Sequence, residues 1–250
     1  TSSRNVKEYV SSRVSNQDGT TTNYRGEMEF SMNATIWEAS NMPAVTEEPY
    51  VACVDNYITQ IDYELASVRI PNSIQENYSE TWKDIITKLL HNEKVGGQLN
   101  KNTSYLTDLF QEISKSAATK TEKLNAAYAA IQKKMSWDEI RSKYVNTNLK
   151  DAFKNAKGNC SEINLILISL LKDLEIEAYP VMLSTRNNGF TPNYPTEDGF
   201  NYMIALARID GKNILLDATL KNVLPGVLPR RCLNGKGLIL KETAVEWVDL

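Results

Sequence analysis

The sequence predicts an α+β fold, and three observations carry that expectation. Apolar residues alternate with a period of two near the N-terminus, follow a helical period through the middle third, and then fill one helical run on nearly every side before two further strands. The chain has 250 residues, 42% hydrophobic and 24% charged, an ordinary globular composition with room for one large domain or two small ones.

The first strand signal is Met28, Phe30, Met32, Ala34 and Ile36 alternating with Glu27, Glu29, Ser31, Asn33 and Thr35, behind a turn at Asn16-Gln17-Asp18-Gly19. A second alternating run, Ile61, Tyr63 and Leu65, precedes Pro71, where the period changes and a domain boundary is placed. Trp82, Ile85, Ile86, Leu89 and Leu90 then share one helical face, stopped by Gly96-Gly97. Tyr105, Leu109 and Ile113 predict a short helix. Thr119 and Glu122 form a capping box ahead of Leu124, Ala127, Tyr128 and Ile131.

The run from Glu162 to Leu174 is apolar all round, as in a helix buried at the centre of a domain. Ala178 to Ser184 reads as a strand, and Asn187-Asn188-Gly189, Pro192 and Pro195 as a polar loop. Met203 to Ile209 and Asn213 to Thr219 read as two strands joined at Asp210-Gly211, a strong hairpin signal. Neither an internal repeat nor a low-complexity tract is present.

Several function classes are disfavoured. A net charge of −3 gives no basic excess for nucleic acid or an anionic membrane. The longest apolar run, Ile163 to Leu171, is broken by Asn164 and Ser169 and is too short to span a bilayer. The chain opens Thr1-Ser2-Ser3, as a mature fragment would, with no visible signal peptide. The three cysteines, Cys53, Cys160 and Cys232, lie far apart, so no metal-ligand spacing arises. Their odd number leaves at most one disulfide and a free thiol. No metal or other cofactor is expected.

Two features carry chemistry. Cys160 directly precedes the apolar helical run, where unpaired backbone N–H groups and the helix macrodipole favour a thiolate and could hold an oxyanion. The competing reading is a buried, inert thiol. A two-residue turn at Asp210-Gly211 sets Ile209 opposite Lys212 and Ile204 opposite Asp217, so Tyr202, Ile204 and Asp217 share one face. Tyr202 and Asp217 are then diagonal neighbours at roughly 7–8 Å. Strands disfavour Asp, so Asp217 either orients a base or completes a buried polar network. Asn164 is expected to satisfy an internal partner, and Arg186 either to close an internal ion pair or to bind a carboxylate. Tyr179, Tyr194 and Tyr202 either line a cleft or pack in the core.

The segments Gly158-Asn159-Cys160-Ser161-Glu162-Ile163-Asn164, Ala178-Tyr179-Pro180-Val181, Ser184-Thr185-Arg186, Phe200-Asn201-Tyr202 and Leu216-Asp217-Ala218-Thr219 together resemble the transglutaminase-like superfamily. The resemblance implies a papain-like core, a central buried helix packed on an antiparallel sheet, and a Cys-His-Asp triad serving transglutaminases, peptidases or amidases. Cys160 matches the nucleophile and Asp217 the orienting acid, while the histidine position falls on Tyr202. Asn159, Arg186 and Asn201, inside the matching segments, are the candidate binding residues. The chain has one histidine, His91, at the polar end of the Trp82–Leu90 helix, where a surface or capping role is expected.

Leu228-Pro229-Arg230-Arg231-Cys232-Leu233-Asn234-Gly235-Lys236-Gly237 further resembles a bacterial envelope branch of that superfamily, with flanking β domains. This implies a β-rich segment over 1–70, a transglutaminase-like core over 71–237 and the start of a following β segment over 238–250. It also implies a periplasmic or cell-envelope location within a larger polypeptide. The glycosylation-like triplets at Asn33, Asn77 and Asn102 are then chance matches. A tyrosine of pKa about 10 cannot act as the base near neutrality. The expected function is therefore a catalytically degenerate module that binds protein, peptide or cell-wall glycan. The alternatives are an active cysteine peptidase, amidase or acyltransferase with a remodelled triad, and a structural spacer whose groove is closed over Cys160.

Overall fold

The computed structural model describes residues 2–15, 21–45, 48–49, 51–61, 63, 65–68, 76–77 and 80–250. The turn expected at 16–19 and the boundary at Pro71 fall outside these. The chain divides into two compact units, Thr1–Thr46 and Glu47–Leu250.

The first unit holds an antiparallel ribbon of two 14-residue strands, β1 (Ser2–Ser15) and β2 (Thr21–Ala34). They pair without a break from Ser2 opposite Ala34 to Ser15 opposite Thr21. The alternation over 27–34 is the sequence signature of β2. The second alternating run forms no strand. Ile61, Tyr63 and Leu65 are all exposed and outside any strand, because alternation alone supplies no partner backbone.

The second unit begins with a single-turn 3-10 helix, Val54–Tyr57, followed by a two-residue bridge, β3 (Ser67–Val68) with β4 (Glu76–Asn77). The predicted helices follow as α1 (Trp82–His91), α3 (Thr107–Ser116) and α4 (Lys120–Lys134), with an unforeseen one-turn helix α2 (Gly96–Leu99) after the first. Capping boxes start α1, at Thr81 with Asp84, and α4, at Thr119 with Glu122. Gly96-Gly97 does not merely stop α1. It opens the one-turn α2, after α1 has ended at Asn92. Two short pieces escaped periodicity, the parallel bridge of β5 (Ser136–Trp137) with β6 (Lys157–Gly158) and the helix α5 (Leu149–Asn155).

The central helix α6 (Cys160–Asp173) is buried at every position from Cys160 to Leu171. Each fully buried Leu or Ile there contributes about 1.5–3 kcal/mol of hydrophobic stabilisation. The helix packs on β7 (Glu177–Leu183) and β8 (Tyr202–Ile209), with α4 and α5 also against it. The sheet continues through β9 (Lys212–Leu216) on one side, and through β10 (Lys236–Ile239) and β11 (Glu246–Asp249) on the other. Its order is β11-β10-β7-β8-β9, with every neighbouring pair antiparallel. The sheet thus takes in residues 236–249, most of which the sequence reading placed in a following β segment. Trp247 on β11 meets the Trp82 ring edge-on at 5.0 Å, tying this edge to α1.

The β8–β9 hairpin has the expected register, with Ile209 opposite Lys212 and Ala205 opposite Leu216. Asp210 and Gly211 both take positive φ, 49° and 73°, as a two-residue turn between right-twisted strands requires.

Candidate functional site

Three local structures bring the candidate residues together. The first is the start of α6. Asn159 caps it: its Oδ1 accepts from the Glu162 N–H at 2.9 Å, and the Glu162 carboxylate accepts from the Asn159 N–H at 2.8 Å. The Asn159 amide also donates to the Tyr144 carbonyl at 2.9 Å. Glu162 is buried, and its other oxygen accepts the N–H groups of Asn146 and Thr147 at 2.8 and 2.7 Å. Gly158 has no room for a side chain, since a Cβ there would lie 2.7 Å from Glu162 Oε2.

These bonds fasten the stretch 140–147 across the helix start. The Ser142 backbone brackets the Cys160 thiol, its N–H donating to Sγ at 3.3 Å and its carbonyl accepting from Sγ at 3.1 Å. The Ser161 hydroxyl donates to the same carbonyl at 2.6 Å. Cys160 is 0% exposed, and its own N–H is turned to the Ile140 carbonyl at 3.4 Å. Two donors that could hold an oxyanion, the N–H groups of Cys160 and Glu162, therefore already have acceptors.

Burial pushes the Cys160 thiol up to about 12, against the weaker pull of hydrogen bonds from the Ser142 and Met203 backbones. The nearby Asp217 carboxylate adds to the rise. The helix-start effect expected to favour a thiolate is outweighed, because desolvating a charge costs more than a partly occupied helix terminus returns.

The second local structure is the hairpin face. The Tyr202 hydroxyl donates to Asp217 Oδ2 at 3.0 Å, as the register predicts for diagonal neighbours with one long side chain. Asp217 is fully buried. Its Oδ1 accepts from Asn164 Nδ2 at 3.1 Å, the Thr219 hydroxyl at 2.8 Å and the Thr219 N–H at 3.2 Å. Asn164, in the middle of α6, also donates to the Met203 carbonyl and accepts from the Ala218 N–H, both at 3.0 Å. The amide polar in an otherwise apolar helix thus locks helix to hairpin, as expected of a buried polar group.

The third is a single-turn 3-10 helix, Arg230–Cys232, which the sequence reading passed over as a source of site residues. The Arg231 guanidinium donates to the Tyr202 hydroxyl through Nη2 at 2.9 Å and Nε at 3.2 Å. Nη2 also reaches Asp217 Oδ2 at 3.1 Å and the Thr219 hydroxyl at 2.6 Å. Its Cζ lies 4.4 Å from the Trp137 ring centroid and 5.3 Å from that of Tyr202. The β5–β6 bridge delivers Trp137, by pairing it with Gly158 two residues before Cys160. The signal for Arg231 was the pair Arg230-Arg231 just before a buried Cys232, but nothing local ties that pair to Asp217.

Tyr202 is fully buried, and its phenol is held far above its ordinary pKa, by burial first and by the Asp217 charge second. Cys232, buried beside Asp217, is raised for the same two reasons. All three cysteines are free. His91 is exposed at the end of α1, with Nδ1 2.8 Å from the Thr87 carbonyl. Of the other sequence candidates, Asn201 pairs with Thr185 through both its amide atoms, each at 2.9 Å. Arg186 donates to the Leu233 carbonyl at 3.3 Å and lines a cavity with Arg230 and Arg231. Tyr179 is half-buried on β7, with its hydroxyl on Glu177 at 2.9 Å, and Tyr194 is exposed.

The site thus sets a cysteine at the start of a buried helix, beside a hairpin followed by an aspartate. Residues 107–208 match the transglutaminase-like superfamily. Over that stretch, less than half of its length, the chain is similar to that superfamily. No curated protein matches it. A solved structure of a candidate protease from Parabacteroides distasonis is similar over 100% of this chain, with TM-score 0.51 and 14% identity. This chain spans 42% of that protein. A candidate cysteine protease from Cytophaga hutchinsonii is 13% identical, over 100% of this chain and 74% of its own, with TM-score 0.34. At such identities the first likeness speaks for the fold alone, and it agrees with the α+β transglutaminase-like core. Among the described residues no helix is long and apolar enough to cross a membrane.

Proposed function

We propose that this transglutaminase-like domain binds rather than cleaves, as a module of a bacterial cell-envelope protein in which Tyr202 stands at the catalytic histidine position. One observation carries the reading: the Tyr202 hydroxyl is clamped between Asp217 and Arg231 beside a fully buried Cys160. A catalytic thiol needs a neighbouring base to take its proton and return it to the leaving group. A phenol whose proton is held by a carboxylate, with a guanidinium on its oxygen, does neither near neutral pH. The envelope location rests on the resemblance of 228–237 to that branch. The closed groove over Cys160 also suits a spacer, but the open, arginine-lined cavity beside Arg231 favours a binding role.

The test is to incubate the chain with a mixed peptide pool, with and without a primary amine acceptor, and follow products by mass spectrometry. No cleavage, deamidation or crosslinking is expected beyond that given by Cys160→Ala. Turnover that the Cys160→Ala variant abolishes would overturn the reading and restore the active cysteine enzyme.

A further inference from the structure

The single-turn helices Arg186–Asn188 and Arg230–Cys232 pack against each other, and the segment 51–56 comes up beside them. Between them lies a cavity of about 380 Å³, lined by Val51, Ala52, Arg186, Asn187, Arg230 and Arg231. We infer that this cavity is a binding site for a carboxylate carried on a short aliphatic stem, such as an acidic side chain of a peptide. The inference rests on the reading above that the domain binds, and names the chemistry of what it binds.

Among the described residues, the charge at the cavity is unbalanced. Arg231 is paired with Asp217, which is fully buried beneath it. Among the described residues, neither Arg186 nor Arg230 is paired with a carboxylate, and the Arg186 hydrogen bond goes to a neutral carbonyl. Three guanidinium groups thus share one cavity in a chain whose net charge is −3, so their gathering is not a by-product of a basic composition. Like charges around a common space repel, and an anion between them reverses the sign of that term.

The walls are set in advance. Asn234 donates to the Ser184 and Gly189 carbonyls at 3.1 and 2.8 Å, fixing the second turn to the first. The Phe190 N–H donates to Asn56 Oδ1 at 2.8 Å, fixing the segment below Val51 and Ala52 to the same loop. Little ordering is then left to offset binding. The guanidinium fork matches a planar carboxylate through two parallel N–H bonds. Val51 and Ala52 give the cavity an apolar side that suits methylene groups and offers a bare inorganic anion nothing on that side. The Asn187 amide supplies a further neutral donor or acceptor.

The experiment uses the full chain and a tetraglutamate peptide, followed by calorimetry at low and moderate salt. Tetraglutamine and inorganic phosphate are the comparison probes. Saturable tetraglutamate binding is expected, weakened by salt, with tetraglutamine and phosphate far weaker. Arg230→Gln should weaken it about tenfold or more, the loss of one charge-assisted hydrogen bond. The Arg186→Gln, Arg230→Gln pair should weaken it further. Arg230 is exposed, so its variant folds even where the double variant does not. No saturable binding, equal binding of tetraglutamine, preference for phosphate, or indifference to Arg230→Gln would each overturn the site. Recovered peptide separates the two readings: Cys160-dependent cleavage would overturn the binding-only function while leaving the carboxylate site standing.

Discussion

Alkylation of Cys160 tests whether the buried thiol can act as a nucleophile. The perturbation is pH, and the readout is the iodoacetamide labelling rate of each cysteine, resolved by peptide mapping. With its thiol held up to about 12 by burial, Cys160 is thiolate to about one part in 30,000 near pH 7.5, whereas a free cysteine of pKa about 8.5 is roughly one-tenth thiolate. Ionisation alone therefore slows labelling about 3,000-fold relative to a free thiol. Complete burial adds to this, because reagent must wait for the stretch around Ser142 to open. The expected profile for Cys160 is slow at neutrality and still rising above pH 9. An inflection below about pH 8 would refute the reasoning, since it would mean that the start of α6 stabilises a thiolate more than burial opposes it.

Two further outcomes follow from the same contacts. Tyr202→Phe removes a donor to Asp217 and an acceptor for Arg231, and should cost about 1.5–3 kcal/mol, the range for hydrogen bonds to charged groups. Urea unfolding measures it, and a loss below about 0.5 kcal/mol would show that Arg231 and Asp217 satisfy each other without the phenol. Stability should also fall in alkali. The folded chain holds the Cys160 proton up to about 12, while the unfolded thiol releases it near 8.5, so this contribution is intact below about pH 8.5 and is lost as pH rises toward 12. Tyr105 and Tyr128, each raised to about 12 chiefly by burial, add to the loss above their unfolded value of about 10. Urea midpoints measured from pH 7 to 10 should decline, and less so in Cys160→Ala; a flat profile would contradict the burial of these groups.

Much of the fold was legible because its determinants are local. The Asp210-Gly211 turn needs two positive φ angles, and from that turn the pairing of β8 with β9 can be counted residue by residue. The apolar run after Cys160 forms a fully buried helix because no face of it tolerates water. The capping box at Thr119 acts within three residues. Elements too short to show a period, such as α5 and the β5–β6 bridge, left no such trace. Ile61, Tyr63 and Leu65 show the opposite error, a period without a strand.

The candidate site divides along the same line. By itself the sequence determined that Cys160 opens a buried helix, that Tyr202 and Asp217 share a hairpin face, and that one histidine lies in another segment. These are matters of spacing and turn geometry. Only the tertiary structure decided that Ser142 closes over the thiol, that Trp137 arrives through a parallel bridge, and that Arg231 comes down on the Tyr202–Asp217 pair. Those contacts join segments distant in the chain, and they set how far Cys160 and Tyr202 are desolvated. Desolvation is a property of everything packed around a group, so no motif announces it, and here it outweighs the helix start that the motif does announce.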